Sequence, residues 1–355
     1  MSDQFSFSFS GEDIEADSQT DTKSYGRSGP QPSTSASAFP VAGKPLLPAT
    51  CHDVKEMLSK LPSKVAFSLL DVDLDGQGNI QLPRRELWDV RVQLMAEEDD
   101  AEAEPGLGDH DVKTGVYEGG FKSWESSVDL VKVLASSQPF TPGAKKLSKI
   151  VELGCGTALP SLALFQWAMD STASSVSFIF ADYNPTVLQL VTLPNLILAW
   201  AIYHQEGLPL LNEAFSSEGE LDLIPEILEA FQDFLFTRGI SLLFFSGAWS
   251  PEFVKMITDV PSPADGSATV ILGAETIYSP FALRSFLQTI LALMQHEKAQ
   301  NKVAEVFVGA KRLYFGVGGS LDDFVVQARE RGALVEQLRE ETEGVRRGVV
   351  RCALP

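Results

Sequence analysis

Residues 149–161, KIVELGCGTALPS, constrain this chain more than any other stretch. An apolar run, Ile150, Val151 and Leu153, meets a Gly-x-Gly turn at Gly154 and Gly156. Leu159, Leu162, Ala163 and Phe165 follow at helical spacing. A strand that turns on glycine straight into a helix opens a doubly wound α/β sheet. The glycines permit a sharp turn and let a ligand approach the main chain where a Cβ would otherwise stand. Glu152 sits near the strand's carboxyl end, where a phosphate-binding loop favours a neutral or basic group. The spacing is neither G-x-x-x-x-G-K-[ST] nor G-x-G-x-x-G, because Leu159 takes the third glycine's position. An acidic residue beside this turn suits a cationic or hydroxyl-rich ligand better than pyrophosphate. For the loop alone, an ordinary glycine turn in an α/β domain is the alternative.

The 355 residues suffice for one sizeable α/β domain with extensions, and 44% hydrophobic content predicts a substantial core. No continuous apolar run reaches the roughly 20 residues of a membrane span. The start, MSDQFSFSFS, has no basic region ahead of an apolar block, so no secretory signal and no membrane partner are expected. Cys51, Cys155 and Cys352 are far apart and odd in number, which predicts neither a disulfide framework nor a metal site, and a reducing compartment. The net charge of −20 argues against direct nucleic-acid binding, which needs clustered Lys and Arg. It suits a basic protein partner by complementary charge, although an acidic surface also serves solubility alone.

Residues 1–50, rich in Ser, Pro, Gly and acid, are expected to be mostly disordered. Phe5, Phe7 and Phe9 alternate with Ser there, a pattern that also suits a strand edge or short docking segment. Residues 51–110 form an accessory region, with a short helix over 52–61, a strand over 64–71 and an acidic loop over 97–104. Residues 1–110 carry 20 acidic against 9 basic side chains, so much of the negative charge lies here. Asp71, Asp73, Asp75 and Gly76 imitate a calcium-binding loop. The twelfth position, however, is Leu82, or Arg84 in the alternative register, where a bidentate Glu is required. The stretch predicts a carboxylate-rich turn between strands and no metal site.

Over residues 112–135, the pair Gly119-Gly120 precedes an amphipathic helix whose apolar face includes Leu130, Val131 and Leu134. Trp124 and Glu125 lie at its start. An acidic residue is favourable there for structural reasons alone, while a functional reading sets Trp124 and the glycine turn over a ligand. Residues 176–181 form a buried strand ending at Asp182, whose carboxylate can accept both hydroxyls of a ribose. The alternative for Asp182 is a helix cap. Asn184-Pro185 opens the next helix, which runs to Trp200, and residues 204–238 form an insertion with a helix near 224–236. Further strands cover 240–245, 268–273, 304–309 and 348–353, with helices over 280–294 and 321–338 and a glycine-rich turn over 311–320. Strands alternating with helices predict a mostly parallel sheet with helices on both faces. Gly154, Asp182, residues 247–249 and residues 275–278 all fall at strand carboxyl ends, where ligands of such sheets sit.

The E-x-G-x-G loop resembles the cofactor loop of the S-adenosylmethionine-dependent methyltransferases with a Rossmann-like fold. YEGGFKSWE (117–125), ELGCGTALPS (152–161), DYNPTVLQLVTLPN (182–195), GAETIYS (273–279) and KRLYFGVGG (311–319) together resemble the protein-histidine N-methyltransferases. Those enzymes modify a histidine of a large-subunit ribosomal protein. The resemblance covers residues 110–355 in order and, weakly, the Phe-Ser start. It implies a seven-stranded Rossmann-like methyltransferase domain over 111–355 behind an acidic, partly disordered N-terminal extension. It also implies S-adenosylmethionine as cofactor, contacted by Trp124, Glu125, Gly154, Asp182, Tyr183, Asn184, Gly247, Ala248 and Trp249 beside the loop residues Glu152 and Gly156. A basic ribosomal protein becomes the expected acceptor, the enzyme a monomer, and its location cytoplasmic and nuclear. Two positions depart from the pattern: Ser126 stands where many relatives carry cysteine, and Gly273-Ala274 precedes Glu275 where Ser or Thr is common.

A neutral imidazole already carries a nucleophilic lone pair, so such an enzyme must hold the ring neutral and choose one nitrogen. A carboxylate accepting the other N–H does this. Glu275 is the candidate, with Tyr278 as aromatic wall or donor; capping the next helix or binding the cofactor's amino group are the alternatives for Glu275. A lysine acceptor, a non-catalytic module keeping the fold, and a nicotinamide oxidoreductase are the competing readings. The last is disfavoured by the missing third glycine.

Overall fold

The computed structural model describes residues 46–97, 120–137, 140, 147–171, 175–215, 217–261 and 267–355. The Phe-Ser tail, residues 98–104 of the acidic loop and residues 117–119 lie outside these.

The amino-terminal part holds β1 (Thr50–His52), α1 (Val54–Ser59), β2 (Lys64–Asp73), β3 (Asn79–Arg85) and α2 (Leu87–Glu97). Asp53, not His52, starts the first helix: its Oδ1 accepts the Glu56 amide at 2.9 Å, while His52 belongs to a strand. The larger part begins with α3 (Glu125–Ser137), β4 (Leu147–Leu153), α4 (Leu159–Asp170) and β5 (Val176–Asp182). One continuous helical stretch follows: α5 (Pro185–Val187), a π-turn (Leu188–Thr192) and α6 (Leu193–His204). The insertion contributes α7 (Pro209–Ala214), β6 (Glu220–Asp222) and α8 (Pro225–Arg238). The chain closes with β7 (Ile240–Ser246), α9 (Pro251–Thr258), β8 (Ala268–Ala274), α10 (Pro280–Ala299), β9 (Val303–Lys311), α11 (Leu321–Glu330), β10 (Leu334–Glu341) and β11 (Arg347–Ala353).

Eight strands form the main sheet in the order β1-β7-β5-β4-β8-β9-β11-β10. The five from β7 to β9 are parallel; β11, β10 and β1 run antiparallel to their neighbours. The six strands located from the sequence within residues 111–355 are all present; β10 is the seventh of that sheet, and β1 is an eighth on the β7 edge. From β4 the chain builds outward to β5 and β7 on one side and to β8 and β9 on the other. Such a reversal leaves a crevice at the carboxyl end of the central strand.

Successive residues of a strand face opposite layers, so strands covered on both faces read as unbroken apolar runs. Ile150, Phe178, Phe180 and Phe244 pack with Leu162, Phe165, Trp200 and Phe231 on one face. Val151, Ile179, Phe245 and Ile271 pack with Phe253, Phe286 and Leu287 on the other. The helical stretch Pro185–His204 is long and apolar enough to cross a membrane by length and composition. Yet 78% of its most apolar window is buried inside the fold, which makes it a core helix.

One expected helix is corrected. The helix predicted over 321–338 stops at Glu330, and Leu334–Glu341 is strand β10, paired with β11 through Val335 and Cys352. Gly332, at φ +86°, turns the chain between them. Leu334, Val335 and Leu338 are too few apolar positions to distinguish a helix from an edge strand.

The hairpin over residues 64–85 and the insertion meet in a second sheet, β3-β2-β6. β2 and β3 form a hairpin with Leu70 opposite Leu82, and Lys64 of β2 pairs with Asp222 of β6. In the carboxylate-rich turn, Asp75 is held by Lys132 at 3.2 Å and by Arg339, so its partners are cations of the chain itself. Asn195 ties this sheet to the main fold. Its Oδ1 accepts the Arg85 amide at 2.8 Å and its Nδ2 donates to Thr157 O, in the glycine loop, at 3.0 Å.

Candidate active site

The carboxyl ends of β4, β5, β7, β8 and β9 open on one cleft of about 900 Å³, counted out to its mouth. Its first side is built by the glycine loop. Gly154 adopts φ +64°, and a Cβ there would fall 2.8 Å from Thr276 Cγ2, so only glycine leaves this wall open. Asp182 Oδ2 accepts the Gly156 amide at 3.0 Å and Oδ1 accepts the Asn184 amide at 3.0 Å. The same carboxylate lines the cleft. Glu152 is 1% exposed, and its Oε2 accepts the Ser161 amide at 3.0 Å, satisfying one of the open amides at the start of α4. Burial pushes the Glu152 carboxyl up to about 8, with Ser161 pulling against the rise and Asp182 adding to it.

The second side is built by β8, β9 and the start of α3. Glu275 directly follows β8 with φ +58°, an uncommon conformation for a residue with a side chain, and its amide donates to Gly309 O at 2.9 Å. Its carboxyl is fully held: the Tyr314 hydroxyl donates to Oε2 at 2.5 Å and the Ser126 hydroxyl donates to Oε1. Burial raises the Glu275 carboxyl, against the pull of Lys311 and of these two donors. Burial, with Glu275 alongside, lifts the Tyr314 phenol well above its usual range, so it stays a donor. Lys311 Nζ lies over the Trp124 ring at 4.9 Å and the Tyr314 ring at 5.7 Å. Thr276 also lines the cleft, and its buried Oγ1 has no hydrogen-bond partner among the described residues.

Of the residues expected at the site, Trp124, Glu152, Gly154, Gly156, Asp182, Tyr183, Trp249, Glu275 and Tyr278 come together around the cleft. Glu125, Asn184, Gly247 and Ala248 are not part of its lining. Glu125 starts α3 and pairs with Arg347 at 3.1 Å. Asn184 immediately precedes α5. Gly247, at φ +100°, is glycine because a Cβ would sit 2.2 Å from Pro48 O, and the Ala248 amide donates to Leu47 O at 3.0 Å. That turn holds the segment leading into β1, a contact invisible without knowing that β1 joins the sheet. Thr276, within the expected 275–278 strand end, lines the cleft as well, and so do Lys122, Ser127, Thr157, Lys311 and Tyr314, which are not among the site residues expected from the sequence. The strand-end rule points to Lys311 and Tyr314 once extended to β9, whose last residue is Lys311.

An acidic glycine loop after β4, a carboxylate ending β5 and a cleft where the strand order reverses define an α/β methyltransferase. No family model matches the sequence. Histidine protein methyltransferase 1 of Saccharomyces cerevisiae is 39% identical over 267 residues, 68% of this chain and 67% of that protein. The Schizosaccharomyces pombe protein of the same name is 35% identical over 272 residues, covering 76% and 73%. The Bos taurus homologue is 30% identical over 244 residues, covering 69% and 56%. The chain belongs to the histidine protein methyltransferase 1 family.

Proposed function

We propose that this chain transfers a methyl group from S-adenosylmethionine to a histidine side chain of a protein, with a basic large-subunit ribosomal protein as acceptor. The observation that carries the reading is the two-sided cleft, with Asp182 on one side and the held carboxyl of Glu275 on the other. The residues fit the donor. Gly154 leaves open a wall that a Cβ would fill, and Asp182 offers its carboxylate to ribose hydroxyls. Tyr183, Trp249 and Trp124 supply aromatic walls. When bound, S-adenosylmethionine supplies an electrophilic methyl group for in-line displacement, so positioning supplies most of the catalysis.

Positioning falls to the second side. A neutral imidazole attacks with the lone pair of one nitrogen and carries N–H on the other. Glu275 accepts that N–H, which fixes the tautomer, turns the ring and stabilises the positive charge the ring gains as the methyl arrives, while Ser126 and Tyr314 fix the carboxyl and Tyr278 walls the ring. The chain's net charge of −20 favours a basic acceptor. A lysine acceptor would require loss of a proton from its ammonium before attack, a step the histidine reading does not need.

Labelled S-adenosylmethionine, the purified enzyme and a ribosomal protein extract, followed by mapping of the labelled residue, test the proposal. A labelled histidine in a ribosomal protein is expected. A labelled lysine, or no label, overturns it.

A further inference from the structure

We infer that Lys311 makes this site select an uncharged acceptor: held against Trp124 and Tyr314 beside Glu275, its ammonium already balances the carboxylate, so a neutral ring is admitted and a lysine ammonium is refused. The inference rests on the reaction proposed above and names the group that sets its acceptor class.

Sheet order divides the cleft. β4, β5 and β7 bring the glycine loop, Asp182 and Trp249, whereas β8 and β9 bring Glu275 and Lys311 to the opposite side. Two aromatic faces and a carboxylate are the groups that would hold an incoming ammonium. Here the chain's own cation occupies that place, 4.9 Å from the Trp124 ring and 5.7 Å from the Tyr314 ring. Tyr314 in turn reaches Glu275 at 2.5 Å, and Ser126 holds the other oxygen, so carboxylate and cation belong to one cluster. Lys122 adds a further cation to the lining.

A second ammonium brought into this cluster meets Lys311 where the protein replaces much of the water that would screen the two charges. In return it gains only a carboxylate, Glu275, on which Lys311 already acts. A neutral imidazole meets no such repulsion and still places its N–H on a remaining lone pair of Glu275, since each carboxylate oxygen accepts more than one hydrogen bond. Without Lys311 the cluster would keep only the weaker pull of Arg347 on Glu275 and would admit cations more readily.

The acceptor mapped in the labelled extract supplies the probe. It is prepared with its target histidine replaced by lysine or by methionine, and both forms are used as competitive inhibitors of histidine labelling. Against the wild-type enzyme the methionine form is expected to inhibit at least about tenfold better than the lysine form, the effect of one moderate charge–charge repulsion. In Lys311→Met the advantage disappears or reverses, and in Lys311→Arg, which keeps the cation, it persists. Lys311→Gln gives the same reading should the methionine variant fail to fold. An unchanged ratio in the neutral variants overturns the inference. So does a variant whose only defect is weaker binding of S-adenosylhomocysteine by calorimetry, because Lys311 would then serve the donor. If the wild-type enzyme labels lysine in the extract, the proposed reaction itself falls, a result distinct from either.

Discussion

Asp182 and Gly156 are joined by a 3.0 Å hydrogen bond from the loop amide to the carboxylate, so the end of β5 shapes the turn that follows β4. The second oxygen of the same carboxylate takes the Asn184 amide. Asp182→Ala leaves both amides without their acceptor, at about 1–3 kcal/mol for each one left buried. It also removes the candidate ribose acceptor. A lower melting temperature and loss of donor binding by calorimetry are expected together. Donor affinity equal to wild type would remove Asp182 from the binding role.

Gly247→Ala separates stability from binding. The added Cβ would collide with Pro48 O at 2.2 Å and would be strained at φ +100°. β1 must then move off the β7 edge, with an expected loss on the order of 2 kcal/mol in denaturant unfolding. Donor affinity should stay within about twofold, a change of under ~0.5 kcal/mol. An intact melt with lost donor binding would return this turn to the cofactor site.

Tyr314→Phe and Ser126→Ala each remove one donor from the buried carboxyl of Glu275. Turnover is expected to fall about 10- to 100-fold, on the scale of a misplaced positioning group. S-adenosylhomocysteine binding, read by calorimetry, should remain near wild type. Equal losses in both measurements would show a folding role only.

Glu152 gives a pH signature. Its carboxyl, ordinarily near 4.5, is pushed up to about 8 in the folded chain, so the folded state holds more protons than the unfolded one between those values. Stability therefore declines as pH rises from about 4.5 toward 8. Glu152→Gln keeps an acceptor for Ser161 without ionising. Donor-free unfolding curves should show the variant gaining on wild type across that window, by on the order of 3 kcal/mol at its upper end. Parallel pH profiles for the two proteins would contradict this assignment.

The parallel core was legible because its strands are covered on both faces and read as apolar runs ending in glycine, Asp182 or Glu275. β10 reads as a continuation of α11 because Leu334, Val335 and Leu338 sit on an edge strand with little burial to impose a period. β1 and β6 are three residues each, too short to carry a pattern, and each exists through the strand it pairs with. The cleft was legible wherever a residue stood at a strand end. Glu125 stands outside the cleft lining, and the sequence does not foretell this because an acidic residue at a helix start serves an ion pair as readily as a ligand, and Arg347, its partner, lies far along the chain. Lys311 was missed as a site residue because its importance depends on Trp124 and Tyr314, which only the fold brings to it.

The most direct measurement compares wild type with Glu275→Gln. Each enzyme is incubated with labelled S-adenosylmethionine and ribosomal protein extract, the protein is hydrolysed, and the labelled amino acid is identified. Label in methylhistidine is expected for wild type, and little or none for a Glu275→Gln enzyme that still binds the donor. Label in methyllysine, or full histidine labelling by Glu275→Gln, would contradict this expectation.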